Sequence, residues 1–175
     1  MTILVVLLII IAIPLVVALF VKKSYSVERE IIIDKPKAEV FNYIKFLKNQ
    51  DNYSVWAMMD PAMKKEFIGV DGTPGFVSSW ESNNKKVGKG EQEIKSIQEG
   101  QRIDLALHFI KPFEGRANAF METTALSTNQ TKVKWVLNSS MKYPMNFMLL
   151  LMNMDKMIGN DLATGLTNLK TLLEN

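Results

Sequence analysis

The chain has 175 residues, 47% of them hydrophobic and 22% charged, with a net charge of +3 and no cysteine. This composition excludes a disordered chain, and the lack of cysteine excludes disulfides, thiolate metal sites and cysteine nucleophiles. The basic residues fall in isolated pairs such as Lys22-Lys23, Lys64-Lys65 and Lys85-Lys86, not in the dense stripe of a nucleic-acid binder, so no nucleic-acid partner is expected.

Much of the apolar content sits at the N-terminus. Ile3 to Val21 spans 19 positions without a charged residue, and Pro14 is its one helix-disfavouring position. At about 1.5 Å per residue such a helix covers roughly 28 Å, close to the hydrocarbon thickness of a bilayer. Residues 1–23 therefore read as a single-pass transmembrane anchor, and the membrane as a partner through Ile3 to Val21. A cleaved signal peptide fits less well. No Lys or Arg precedes the run, it exceeds an h-region of about 7–15 residues, and no clear small-x-small site follows. Lys22-Lys23 at the C-terminal end place the folded domain on the cytoplasmic side by the positive-inside tendency. Two lysines leave the opposite orientation open.

Residues 24–175 read as one domain. Tyr25 to Asp34 is a first strand, with β-branched bulk at Ile31-Ile32-Ile33. Asp34-Lys35-Pro36 opens a short amphipathic helix over Pro36 to Leu47, with Asp34 as the cap and Val40, Phe41, Ile44 and Leu47 on one face. Asn49 to Met59 is a polar and aromatic connector with room for a second short helix. Strands follow at Met63 to Gly69, Phe76 to Glu81 and Val87 to Ile97, separated by the turn signals Asp71-Gly72-Thr73-Pro74-Gly75 and Ser82-Asn83-Asn84. Arg102 to Phe109 alternates cleanly: Ile103, Leu105, Leu107 and Phe109 on one face, Arg102, Asp104, Ala106 and His108 on the other. Gly115 to Leu126 is a long strand with Ala117 and Ala119 on one face, and Lys132 to Asn138 alternates again through Val133, Trp135 and Leu137.

From Pro144 onward Phe147, Leu151, Met154, Ile158, Leu162, Leu166, Leu169 and Leu173 recur at helical spacing, which predicts one helix of roughly 30 residues, about 45 Å long. Gly159, Ala163 and Gly165 allow it to approach other backbone closely. The fold class is α+β: an antiparallel sheet of about seven strands, one face covered by the C-terminal helix.

This order of elements resembles the START-like superfamily, also called SRPBCC or the polyketide cyclase and lipid transport group. The resemblance covers Tyr25 to Asn175. It is carried by Ile31 to Phe41, by Trp56, by Val77 to Glu81 and by Val87-Gly88-Lys89-Gly90. Phe109 to Gly115 and Met154 to Lys170 look like a membrane-anchored bacterial branch. It implies a helix-grip fold with a hydrophobic cavity between sheet and helix, and the binding or transport of a lipid or other hydrophobic small molecule. It leaves two other functions open: a cyclase- or dehydratase-like enzyme using a buried carboxylate, and a co-chaperone-like interaction module.

Chemistry-bearing motifs are sparse. His108 is the only histidine and shares a strand face with Arg102 and Asp104, away from Leu105 and Leu107. Neither a Ser-His-Asp arrangement, a zinc site nor a P-loop is marked, so no catalytic residue, metal or cofactor is assigned. Glu91, Glu93, Glu114 and Glu122 are the sheet carboxylates to test, since one buried in an apolar cavity would suit acid-base work. The candidate cavity residues are Trp56, Trp80, Leu105, Leu107, Phe109, Phe113, Trp135, Phe147 and Leu151. Aromatic side chains of this kind serve equally as ordinary core. Six of the 11 methionines lie between Met141 and Met157, and within that stretch Phe147 to Met152 is apolar on every side of its helix, suited either to gating the cavity or dipping into a bilayer interface, or to a core helix.

Overall fold

A computed structural model describes residues 2–175; the side chains of residues 2–9 and 11 lie outside the description. In chain order the elements are α1 (Thr2–Phe20), β1 (Ser24–Ile33), α2 (Lys37–Ile44), a 3-10 turn (Leu47–Asn52), α3 (Val55–Met58) and the strands β2 (Lys64–Ile68), β3 (Val77–Glu81), β4 (Lys89–Gln98), β5 (Arg102–Lys111), β6 (Gly115–Ser127) and β7 (Gln130–Ser140). A second 3-10 turn (Met145–Phe147), α4 (Met148–Leu151) and α5 (Met154–Glu174) complete the chain. The seven strands form one antiparallel sheet in the order β1-β7-β6-β5-β4-β3-β2. The segment from α2 to α3 therefore carries the chain from one sheet edge to the other.

Strand alternation decides what enters the core. In β1, Val27 and Ile33 are buried while Ile32 is exposed, so the isoleucine triplet splits between the faces. Across the sheet the inward residues line up in rows. One row reads Ile97, Ile103, Met121, Trp135 and Arg29; the next reads Ile94, Leu105, Ala119, Leu137 and Val27; a third reads Ser78, Gln92, Leu107, Ala117, Ser139 and Tyr25. Bulk falls from the first row to the third. The first packs against Leu162, Leu166 and Leu169 of α5 and Phe41 and Ile44 of α2 in a continuous core. In the others, small and polar residues stand where large ones would be needed to meet the helix.

Helix α5 is held at both ends to β1. Near its start, the Arg29 guanidinium donates to both carboxylate oxygens and the backbone carbonyl of Asp155 at 2.9–3.1 Å. Near its end, Lys170 Nζ donates to the Ile32 carbonyl at 2.7 Å and the Asp34 N–H to Glu174 Oε1 at 2.6 Å. Gly159 lies directly beneath the Arg29 guanidinium, in space that a Cβ would occupy. Gly165 sits against Trp135 and the Tyr53 carbonyl, where a Cβ would meet atoms at 3.1 and 3.4 Å. The close approach expected of these glycines is thus largely to side chains.

Three expectations are corrected. The single-pass anchor and the cytoplasmic orientation built on it do not stand: among the described residues no helix is long and apolar enough to cross a membrane. The side chains of α1 are described at Ile10 and from Ala12 to Phe20, a stretch of roughly 16 Å against a hydrocarbon core of about 30 Å; the other side chains of the expected anchor up to Phe20 lie outside the description. The terminal helix is not one rod of 30 residues. Met152 is extended at φ −105°, ψ 127°, and the Asn153 side chain accepts from the Lys156 N–H at 2.8 Å, so α5 starts there with its own cap. Asp34 is also not a cap: α2 begins after Pro36 without a side-chain cap, and Asp34 Oδ1 instead accepts from Gln130 Nε2 at 2.8 Å.

The packing of Arg29 on Gly159 predicts a reversal of sign. Gly159→Ala displaces the guanidinium from Asp155 and should destabilise the protein in urea unfolding. With Arg29→Ala already present, the same change should stabilise it by about 0.8–1 kcal/mol, the ordinary preference of a helix interior for Ala over Gly. Equal effects in the two backgrounds would refute the coupling.

Candidate functional site

The fall in side-chain bulk leaves a hollow of about 330 Å³ between the inner sheet face and the N-terminal half of α5, at the small end of ligand pockets, which run from roughly 300 to 1,000 Å³. Leu105, Leu107, Ala119 and Leu137 form its sheet wall, and Ile158 and Leu162 its helix wall. It reaches the surface: Phe113 lies on the lining yet is 78% exposed.

Seven of the nine candidate residues lie on this lining: Trp56, Trp80, Leu105, Leu107, Phe109, Phe113 and Trp135. Trp135 stands edge-on to Trp56 at 6.3 Å and to Tyr53 at 5.9 Å between ring centroids, fixing the deep end. Trp80 stands edge-on to Phe109 at 6.2 Å and donates from Nε1 to the Val87 carbonyl at 3.2 Å. Gly90 makes room for it, since a Cβ there would lie 2.6 Å from the indole. Phe147 and Leu151 lie off the lining. They precede the break at Met152, and Leu151 is 68% exposed.

The segment before α5 makes a different contact. Buried Asn146 donates through Nδ2 to the carbonyls of Ala18 and Val21 at 2.7 and 3.0 Å, tying the end of α1 to the second 3-10 turn. Leu149, Leu150, Met152 and Met154 then face Val17 and Phe20 across a second, more open cleft of about 750 Å³. The smaller hollow is the better site because side chains from both layers surround it. Tyr25 lies on the walls of both.

None of the four sheet glutamates lines the hollow. Glu91 and Glu114 flank His108, 3.5 Å from Nδ1 and Nε2 respectively, and Glu93 pairs with Lys95 at 2.9 Å. His108 is likewise absent from the lining. The one lining carboxylate among the described residues is Asp51, ion-paired to Lys65 at 2.7 Å. Among the described residues no cluster of three His, Asp or Glu side chains is placed to hold a metal.

Sequence reasoning passed over the polar lining: Gln50, Ser54, Ser78 and Gln92. Gln50 and Ser54 come from the connector between α2 and β2, and both are buried. Gln92 Nε2 donates to Gln50 Oε1 at 2.9 Å, while Gln50 Nε2 is buried without a partner. Nothing in a polar connector marks one glutamine as inward. The small residues Ala117 and Ala119 were a visible signal of a hollow, once their register against Leu105, Leu107 and Leu137 is known.

No family model and no curated protein matches this chain. Solved structures do match its fold. Protein CV1439 from Chromobacterium violaceum aligns with TM-score 0.61 at 11% identity, over 86% of this chain and 97% of that one. Norcoclaurine synthase from Thalictrum flavum, in complex with dopamine and hydroxybenzaldehyde, aligns with TM-score 0.61 at 10% identity over 86% of each chain. The Aha1 dimer from Colwellia psychrerythraea aligns with TM-score 0.60 at 12% identity, over 86% of this chain and 96% of that one. At these identities the likeness is one of fold: a Bet v1/START-like helix grip.

The deep end also makes a titration prediction. Tyr53 is fully buried, its hydroxyl facing Met121 Sδ at 3.6 Å. Burial, with Tyr43 nearby as a lesser cause, pushes its hydroxyl well above the usual 10.0. Above about pH 10 the unfolded chain gives up this proton and the folded one does not, so stability falls as pH rises through that value. Spectrophotometric titration should show one of the four tyrosines ionising only on unfolding, and Tyr53→Phe should remove that step.

Proposed function

We propose that residues 24–175 form a domain that binds or carries a lipid or other small hydrophobic molecule in the hollow between the sheet and α5. The observation behind this reading is the mismatch of layers: rows of large inward side chains at one end of the sheet, and Ala119 and Ser78 on the lining where α5 needs bulk to close the gap. Binding would rest on burial of apolar ligand surface at about 25 cal/mol per Å². Trp56, Trp80, Leu105, Leu107, Phe109, Phe113 and Trp135 supply the contacts.

Two rival readings find less support. A cyclase- or dehydratase-like mechanism calls for an unpaired carboxylate inside the hollow, and Asp51 already has Lys65. An interaction module of the co-chaperone kind is expected to fill the space between its layers, whereas here a hollow lies between the sheet and α5.

Ala119 is buried on the sheet wall of the hollow and borders the core, and Ala119→Phe projects a ring into the empty space. The wild-type protein should bind the neutral fluorophore N-phenyl-1-naphthylamine saturably with roughly micromolar Kd. The variant should lose at least about tenfold in affinity while remaining cooperatively folded, with any overpacking cost held to about 1–3 kcal/mol. Unchanged binding by a folded Ala119→Phe would place the ligand elsewhere.

A further inference from the structure

The polar lining narrows the ligand class, on the premise that the hollow binds a ligand at all. Gln50 is 7% exposed, and its Nε2 has no hydrogen-bond partner. The amide is held in place: Asp71 accepts at Oδ1 from the Leu47 N–H and at Oδ2 from the Lys48 N–H, at 2.8 and 3.1 Å, fixing the turn that carries Gln50. Gln92 occupies the Gln50 carbonyl oxygen at 2.9 Å. What remains is a pair of oriented N–H donors on a residue of the lining. A buried donor without a partner is costly, and an accepting oxygen on a ligand would satisfy it. The Ser54 hydroxyl, buried on the same wall, makes no side-chain hydrogen bond among the described residues.

The charged residues of the lining are Asp51, Lys65, Lys86 and Lys111, three cations against one anion. Lys65 is neutralised by Asp51. Lys111 has a loose contact with Glu81 at 3.7 Å, and that carboxylate is already engaged by Lys89 at 2.9 Å. Lys86 makes no ion pair among the described residues, and Asp161 on α5 compensates it only at longer range. The lining thus combines apolar walls, a buried hydrogen-bond donor and an excess of positive charge.

We infer that the ligand is an acidic amphiphile: an apolar body carrying a hydrogen-bond-accepting oxygen for the Gln50 amide and a carboxylate or phosphate for Lys86 and Lys111. A purely hydrocarbon guest would leave Gln50 Nε2 unsatisfied, and a cationic amphiphile would meet the lysines with like charge.

Displacement of N-phenyl-1-naphthylamine by decanoate, decyl phosphate, methyl decanoate and decyltrimethylammonium tests this with one tail and four head groups. Decanoate or decyl phosphate should bind about tenfold or more tightly than the ammonium probe, and the tighter of the two identifies the acid. Gln50→Leu should weaken both the acid and the methyl ester about tenfold while leaving the naphthylamine itself unaffected. Gln50→Glu, nearly the same shape, should lose the acids and spare the ammonium probe, which guards against a folding defect in the leucine variant. Lys86→Gln should weaken the acid about threefold, more at low salt than at high, and leave the ester unchanged. Equal binding of all four head groups, or full affinity for the acid in folded Gln50→Leu and Lys86→Gln, overturns the acidic-amphiphile assignment and leaves the carrier reading intact. Failure of the naphthylamine and of every decyl probe to bind overturns both.

Discussion

A single helix cannot cover seven strands. At about 4.8 Å between neighbours the sheet is roughly 29 Å wide, while a helix with its side chains is about 10–12 Å across. The rest of the architecture answers that mismatch. Clamping contacts of Asp155 with Arg29, of Lys170 with the Ile32 carbonyl and of Glu174 with the Asp34 N–H hold α5 over the β1 side of the sheet, away from β3, β4 and β5. At one end α2 and the first 3-10 turn add a second covering, and Phe41, Ile44 and Leu47 close the core there. Toward the other end nothing of comparable size lies opposite Ala119 and Leu107, and the hollow is the result.

The same clamps separate stability from binding. Leu162, Leu166 and Leu169 are all but fully buried and belong to the packed core, while Ile158 and again Leu162, one to two turns earlier in α5, face the hollow. A single amphipathic stripe thus serves two purposes along its length. Arg29 marks the changeover on the β1 side, because its guanidinium occupies the space that the missing Gly159 side chain leaves. The connector between α2 and β2 is doubly used as well. Tyr53 locks into the core against Trp135 and Met121, while Gln50 and Ser54, close by in sequence, bring polar atoms to the cavity wall.

Much of the fold was legible in the sequence because burial imposes periodicity. The alternation from Ile103 to Phe109 and the spacing of Leu162, Leu166 and Leu169 each identify a face. The break before α5 was hidden by the same logic: Leu151, Met154 and Ile158 continue the helical spacing across it, and only Asn153, a good capping residue, hinted at a new start. The N-terminal assignment rested on composition from Ile3 to Val21 and is not upheld; the described end of α1 instead docks through its carbonyls on Asn146. For the site, Leu105, Leu107, Phe109 and Trp135 lie on the lining from strand faces that alternation marks, whereas Phe147 and Leu151 lie off it because the helix they were placed on is broken. Gln50 was beyond sequence reasoning, since its inward direction is set by a turn that Asp71 caps from a distant loop.

The central claim is that the space under the N-terminal half of α5 takes an apolar guest. Methyl NMR spectra of the protein titrated with naphthalene test it most directly. The account predicts saturable shifts at Leu105, Leu107, Ala119 and Ile158, with Leu166 and Leu169 unmoved. Shifts confined to Val17, Leu149 and Leu150 in the second cleft, or none at all, would contradict it.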